Sequence, residues 1–361
     1  MTQPLMTNTD AVVIGAGPVG LFQVFQLGLL GLKTHLIDVL PEVGGQCVAL
    51  YPDKPIYDVP GLPMCSGREL AQQLLTQARP FLPVDAVSGQ CANLHLGQLV
   101  SQLRAQPDGG FVVETDHGVR LCARTVFVAA GAGAFVPRTL NLPSLDGACN
   151  LHYHLDDAAP AAWAGQRVVI AGGGDEALSA ALTLSNLPDG ERPATLTLLH
   201  RRDQFQADAT LDAAIRKLLA AQRLQLVVGM PSGVDVQDGK VVSLTLLGPD
   251  SMSRELQLDR LLVRQGMSPK LGPLSQWGLT LERKQVSVSA ATFESSTAGV
   301  YAVGDINIYP GKKRLLLCGF HEATLAAHAA AAALHPEAPP HLLYTTTSPL
   351  LHQRLGVQPT R

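Results

Sequence analysis

The sequence predicts an α/β protein with two three-layer Rossmann-like nucleotide-binding domains, the second inserted into the first. Three observations lead there. Residues 11–30 run as a short apolar stretch, a glycine turn and a longer apolar stretch, the strand–turn–helix order of a dinucleotide-binding unit. The same order returns at residues 167–187. The second strand of each unit ends in opposite charge, Asp38 in the first and Arg201-Arg202 in the second.

In the first unit, Ala11-Val12-Val13-Ile14 is a buried strand, Gly15 to Gly20 the turn, and residues 21–30 a helix. Residues 34–37 form the next strand, ending at Asp38. A loop rich in proline and glycine covers 41–63. Residues 66–78 read as a helix, with Ser66 as cap and Glu69 three residues on. Residues 90–100 and 111–128 read as strands, the last running into Gly131-Ala132-Gly133.

In the second unit, Arg167 to Ala171 is a strand, Gly172 to Ala177 a turn, residues 178–187 a helix and residues 195–199 a strand. Residues 225–228, 241–247 and 256–263 are expected to form a small antiparallel set. Residues 300–303 return to a buried strand ending in Gly304-Asp305. An Ala-rich helix is expected from Gly319 to Leu334, followed by a proline-containing tail with Tyr344-Thr345-Thr346-Thr347-Ser348. The expected crossings lie near 134–138 and 265–269, giving segments 1–136, 137–266 and 267–361. Two-segment linkers would permit relative rotation of the domains.

Composition narrows the classes. Gly (34) and Pro (25) are abundant but dispersed, which argues against a disordered low-complexity chain. A net charge of −3 gives no field for nucleic acid. Six cysteines with no CxxC suggest neither a disulfide framework nor a metal site, and reduced thiols fit the cytoplasm. Residues 11–32 carry no charge and are long enough to span a bilayer. Gly15, Gly17, Pro18, Gly20, Gly28 and Gly31 break that run, and a glycine turn in lipid would strand unpaired backbone groups, so no membrane association is expected. No Lys or Arg precedes Lys33, so the basic start of a signal peptide is missing.

The first turn, Gly15-x-Gly17-Pro18-x-Gly20, fits a dinucleotide fingerprint. Gly15 makes the turn, Gly17 lets the backbone approach a pyrophosphate held by the helix N-terminus, and Gly20 allows close helix packing. Asp38 can accept both hydroxyls of an adenosine ribose and would reject a 2′-phosphate. The second turn, Gly172-x-Gly174-Asp175-Glu176-Ala177, is the alanine variant. His200-Arg201-Arg202 stands where the first unit has its acid, and two guanidiniums would welcome a 2′-phosphate. Glu176 departs from the small polar residue usual there; it suits the helix dipole but would repel a pyrophosphate if it faced inward. Two sites of unlike charge suggest a resident FAD and a visiting NADP(H). The NADP domain is then inserted into the FAD domain.

With these segments in order, together with Gly44-Gly45-Gln46, Tyr51-Pro52-Asp53-Lys54, Tyr57-Asp58, Leu151-His152-Tyr153, Asp203, residues 301–306, Leu271-Gly272-Pro273-Leu274, Trp277-Gly278-Leu279 and the tail at 344–348, the chain resembles the thioredoxin-reductase-like flavoproteins. Within them it is most similar to the type 2 ferredoxin–NADP(+) reductases, over residues 8–355. The resemblance implies that Asp38 binds the FAD ribose, Gln46 faces the FAD, and Tyr51 stacks on one flavin face. It also implies that Ala92 and Phe135 lie near the cofactor and that Asp305 bonds the ribityl–pyrophosphate part. The helix from about Gly319 would point its N-terminus at the flavin. The tail would cover the other face, with Tyr344 stacked and Thr347 or Ser348 close by. A homodimer, with the tail reaching the other subunit, is implied as well.

The implied activity is hydride transfer between NADP(H) and FAD, then single electrons to ferredoxin or flavodoxin, in either direction. Hydride transfer needs no proton carrier, so no catalytic acid or base is assigned. Thioredoxin reductases of this shape carry a CxxC before the second turn; Cys149 stands there alone and reads as a small buried hydrophobe. Cys47 lacks a visible partner too. Disulfide reduction is therefore the alternative chemistry, and a redox-sensing NADP(H)-binding flavoprotein with little turnover is another. Lys312-Lys313-Arg314 reads either as a solvated loop or as a docking patch for an acidic electron carrier.

Overall fold

The computed structural model describes residues 6–84, 89, 91–145, 147–338 and 341–357, with backbone alone at 135, 156 and 269. Its described α-helices are α1 (Pro18–Leu29), α2 (Gln46–Ala49), α3 (Gly67–Ala78), α4 (Asp175–Ser185), α5 (Ala209–Ala220), α6 (Leu316–Leu334) and α7 (Pro349–Leu355). The chain divides into two compact units, Met1–Ala134 with Pro269–Arg361, and Phe135–Ser268.

The first unit is built on a seven-stranded sheet. Its centre is β1 (Thr7–Ile14), with β2 (Thr34–Ile37) parallel on one side and Arg120–Val128 parallel on the other. Leu94–His95 extends the β2 side. Phe111–Thr115 and Val100–Ala105 continue antiparallel beyond Arg120–Val128, which Val300–Ala302 also joins. Layers packed on both faces of the sheet make β1 apolar on both faces. Ala11 and Val13 enter a core with Leu21, Val24 and Leu27 of α1 and Ala326 and Ala330 of α6. Val12 and Ile14 enter the opposite core with Val126, Val128, Leu274 and Val286.

The Ser66 cap forms as the sequence predicts. Its Oγ accepts from Glu69 N (3.2 Å), and Glu69 Oε2 accepts from Ser66 N (2.7 Å). Helix α6 begins at Leu316, before the expected Gly319. Gly319 is an interior helix position, tolerated because a Cβ there would run into Val19 of α1; the missing side chain lets the two helices touch.

The second unit has a parallel five-stranded sheet in the order Leu151–His152, Arg260–Val263, Arg167–Ala171, Thr195–His200, Gln225–Val228. Helices α4 and α5 cover one face, with Leu178, Leu184, Ile215 and Leu218 buried against Ile170 and Leu198. The expected antiparallel set is differently composed. Met230–Gln237, Lys240–Leu247 and Ser253–Gln257 form it, and Gln225–Val228 joins the parallel sheet instead. The segment 256–263 breaks at Asp259, whose carboxylate holds Arg167 (Nη2 to Oδ1 2.7 Å) and whose break sends Arg260–Val263 into the parallel sheet.

Among the described residues, no helix is long and apolar enough to cross a membrane. The uncharged run 11–32 contains the end of β1, the glycine turn and α1.

Candidate functional site

Both glycine turns lie at the carboxyl ends of parallel strands, where open α/β sheets bind ligands. In the first unit, Gly15 has φ +111°, and a Cβ there would press on the Ala129 carbonyl of the neighbouring strand end. Gly17 caps α1 with no side-chain cap and no acid in the first turn, leaving the dipole end for an anion. The loop at 44–45 lies against this turn. Gly44 N donates to Ala16 O (2.8 Å), and a Cβ on Gly45 (φ +53°) would lie 2.9 Å from Gly17 Cα. Pro18 opens α1, where its missing N–H is no loss.

Asp38 is 9% exposed. Its Oδ2 accepts from Ala16 N (2.5 Å) and its Oδ1 from Leu40 N (2.8 Å), so it ties the end of β2 to the glycine turn. Burial pushes this carboxyl up, and the backbone N–H donors of Leu40, Ala16 and Val39 pull it back. Each oxygen keeps a lone pair for a further donor. The residues beside it are Gly97 and Gln98, whose N–H groups bond to Leu40 O and Asp38 O (both 2.9 Å). Sequence reasoning missed them. Ala92 lies in the turn that precedes Leu94–His95, where Leu94 N donates to Cys91 O (3.2 Å).

A second cluster in this unit gathers Gln46, Cys47, Tyr51 and Asp305. Gln46 Nε2 lies against Gly131 (φ +60°), 2.8 Å from where a Cβ would stand. Tyr51 Oη and Cys47 Sγ are 3.4 Å apart. Burial raises both the Tyr51 phenol and the Cys47 thiol above their ordinary ranges. Cys47 therefore stays a thiol at neutral pH, the unreactive form. Asp305 sits in the turn Gly304–Ile306; burial raises its carboxyl, while Lys312 and Arg314 oppose that.

Behind this turn lies a residue the sequence reading did not single out. Glu322 is fully buried in α6. Its Oε2 accepts from Gly304 N (2.7 Å) and Asn307 Nδ2 (2.9 Å); its Oε1 accepts from Tyr309 Oη (3.0 Å) and Lys312 Nζ (2.5 Å). Lys312 also donates to Gly304 O (2.8 Å). This withdraws Lys312 from the Lys312-Lys313-Arg314 run as a docking surface, while Lys313 and Arg314 are exposed. The Lys312 side chain is 4% exposed, and Arg314 donates to Gln285 Oε1 (2.9 Å). The available signal was Glu322 itself, the lone acid in an Ala-rich helix.

The tail does not join the Tyr51 cluster within this chain. Ser348 Oγ caps α7, accepting from Leu351 N (3.4 Å), and α7 packs at the C-terminal end of α1, where Arg354 donates to Leu29 O. That is the opposite end of α1 from Gly17. Tyr344 is 64% exposed and Thr347 is exposed. The Phe135 side chain lies outside the described residues.

In the second unit, Gly174 caps α4 without a side-chain cap. Asp175 Oδ1 accepts from Asp208 N (2.7 Å), fastening α4 to the loop before α5. Gly173 faces the His200 ring, which stacks with Phe205 at 5.9 Å. Burial and the neighbouring Arg201 and Arg202 lower the His200 pKa, keeping it neutral. Arg201 and Arg202 are exposed, and among the described residues no ion pair involves either. Glu176 is paired with Arg264 (3.6 Å), which sequence reasoning also missed. Cys149 is exposed, not buried as expected, because it lies in the turn before Leu151–His152. All six cysteines are free.

A family model described as pyridine nucleotide-disulphide oxidoreductase matches residues 9–333. The chain is 49% identical to a ferredoxin–NADP reductase of Methylibium petroleiphilum, covering 97% of this chain and 93% of that one. It is 48% identical to ferredoxin–NADP reductase 2 of Cupriavidus taiwanensis, over 99% and 92%. Among solved structures, a bacillithiol disulfide reductase of Staphylococcus aureus matches with a TM-score of 0.62 at 16% identity, over 91% and 99%. A thioredoxin reductase of Lactococcus lactis matches with a TM-score of 0.56 at 20% identity, over 89% and 97%. These structural likenesses bear out the expected fold class.

Proposed function

This chain belongs to the ferredoxin–NADP reductases of the pyridine nucleotide-disulphide oxidoreductase family, and from that premise we propose how its residues serve the activity. It is an oxidoreductase that moves a hydride between NADP(H) and FAD and single electrons between FAD and ferredoxin. One observation carries the residue assignment: the two turns differ in the charge beside them, buried Asp38 against exposed Arg201 and Arg202, which form no ion pair among the described residues.

The first unit suits FAD. The uncapped, acid-free start of α1 and the side-chain-free approach of Gly17 and Gly45 leave room and N–H donors for a pyrophosphate. Gly15, Pro18 and Gly20 shape that turn. Asp38 has acceptor capacity for ribose hydroxyls. Gln46, Tyr51 and Asp305 form the polar edge of the site, and Phe135 is kept as a proposed neighbour. When bound, FAD supplies the exchange between two-electron and one-electron chemistry. The chain's part is to bind, orient and exclude water; no side chain needs to move a proton.

The second unit suits NADP(H). Gly172 and Gly174 form the turn, Asp175 braces it, His200 packs beneath it, and Arg201 and Arg202 would grip a 2′-phosphate. Tyr344, Thr347 and Ser348, which lie apart from Tyr51 in one chain, fit a homodimer in which the tail serves the partner's flavin. Flavodoxin as a second electron partner and a cytoplasmic setting complete the reading; six free thiols support the latter. Disulfide reduction, the chemistry named for the structural neighbours, is the alternative; Cys47 held as a thiol and Cys149 with no CxxC partner do not supply its dithiol relay.

The test is direct. Purified protein should show flavin absorbance and reduce ferredoxin with NADPH far faster than with NADH. A colourless protein, or equal rates with the two cofactors, overturns the reading. Thioredoxin and flavodoxin run in parallel assign the acceptor.

A further inference from the structure

We propose that Arg264 positions the pyrophosphate of the NADP turn, and that its pairing with Glu176 is a clasp that gives way to that pyrophosphate. The inference rests on the NADP(H) reading above and adds a residue to it.

The place comes first. Arg167–Ala171 is the strand entering the turn, and its two neighbours are Thr195–His200 and Arg260–Val263. The sheet order runs outward from it in both directions, so the crevice at the carboxyl ends of Arg167–Ala171 and Arg260–Val263 is the switch point where such sheets bind ligands. Val263 is level with Ala171, and Arg264 is the next residue. Its N–H donates to Ala171 O (2.8 Å), and its carbonyl lies where a Cβ on Gly172 would stand. The Arg264 backbone is thus one reason why Gly172 must be glycine.

The side chain is then held in an unusual way. Arg264 Nη1 donates to Tyr153 O (2.6 Å) and to His154 Nδ1 (3.1 Å). Its contact with Glu176 Oε2 is 3.6 Å, too long for a hydrogen bond and therefore a Coulombic pairing only. Its Nε is buried and has no hydrogen-bond partner among the described residues. The side chain is 19% exposed, so this guanidinium is pre-positioned at the rim of the turn with donor capacity unspent.

Glu176 explains why the cation is there. It sits in the first turn of α4, where its carboxylate suits the helix dipole and opposes a phosphate arriving at the same N-terminus. Arg264 neutralises it. On binding, the guanidinium turns its free N–H groups to the pyrophosphate, and the Glu176 carboxylate, 41% exposed, swings to water.

The test is equilibrium binding of NADP+ to the purified holoenzyme by calorimetry. Arg264→Gln should raise Kd about tenfold, the size of one charge-assisted contact. Glu176→Gln should tighten binding, and the double variant should bind more tightly than Arg264→Gln alone. Adenosine 2′-monophosphate, which carries the 2′-phosphate and neither phosphate of the pyrophosphate, should bind Arg264→Gln as it binds the unaltered protein; a general collapse of the site would weaken it too. If Arg264→Gln folds poorly, Arg264→Lys, which keeps the charge and loses the fork, should weaken NADP+ and leave adenosine 2′-monophosphate unmoved. An unchanged Kd in the Arg264 variants, effects that simply multiply, or weaker binding in Glu176→Gln overturns the proposal. If Arg201→Gln/Arg202→Gln still loses NADP+ in that case, the NADP(H) reading survives. Failure of the unaltered protein to bind NADP+ overturns both.

Discussion

Lys312 Nζ lies 2.5 Å from Glu322 Oε1, with the two side chains 4% and 0% exposed. The pair stands behind the Gly304–Ile306 turn, and both residues also bond to Gly304, one to its N–H and the other to its carbonyl. Helix α6 and the Asp305 turn are therefore locked by a single carboxylate. A buried charge is tolerable only when fully partnered, and Glu322 has four donors.

Glu322→Ala should therefore destabilise the protein by about 3–5 kcal/mol, since it strands the Lys312 ammonium out of water. The double variant Glu322→Leu/Lys312→Met should recover much of that loss. Urea unfolding followed by far-UV dichroism reads both. Equal destabilisation in the single and double variants would show that the pair is not the source.

Asp38→Ala removes two acceptor contacts, to Ala16 and to Leu40, and should cost about 2 kcal/mol of stability. It should also lower the flavin content of the purified protein, read as the ratio of absorbance at 450 and 280 nm, wavelengths at about which flavin and protein absorb. Asp38→Asn should fall between, since its amide oxygen can still accept. Full flavin content in Asp38→Ala would remove the ribose role.

Arg201→Gln/Arg202→Gln should weaken NADPH by about 10–100-fold, because two charge-assisted contacts to the 2′-phosphate are lost. NADH affinity should stay within about twofold, since NADH has no such phosphate. Parallel weakening of both cofactors would place the guanidiniums elsewhere.

His35 and His95 share a contact of 2.9 Å, with their rings stacked at 5.2 Å. Burial, and then the neighbouring His95, lowers the His35 pKa from 6.5 to about 4, and burial lowers that of His95. Above 6.5 both rings are neutral in the folded and unfolded chain, and pH has no purchase. Below 6.5 the unfolded chain takes up protons that the folded pair refuses, so stability falls until the pH passes about 4. His35→Gln should flatten that acid limb in melting temperatures taken from pH 7 to about 4. An unaltered limb would assign it to other groups.

The repeat, the two turns and their unlike charges could be read from the sequence because they are local. Strand, glycine turn and helix follow one another within a few residues, and the Ser66–Glu69 cap is a three-residue pattern. What could not be read depends on register. Gly97 and Gln98 come beside Asp38 because Leu94 pairs with Leu36, a relation between strands far apart in the chain. Lys312 looks like its exposed neighbour Lys313 until α6 brings Glu322 beneath it. Arg264 reaches the NADP turn only because Arg260–Val263 lies beside Arg167–Ala171.

The approach of Gly45 to Gly17 makes two distant stretches into a single mechanical part. A methyl on Gly45 would lie 2.9 Å from Gly17 Cα, against a positive φ of 53°. The phosphate turn and the 44–45 loop cannot be redesigned separately. Any graft of a new dinucleotide turn onto this scaffold has to carry residues 44–46 along with residues 15–20, or the two backbones will hold each other apart.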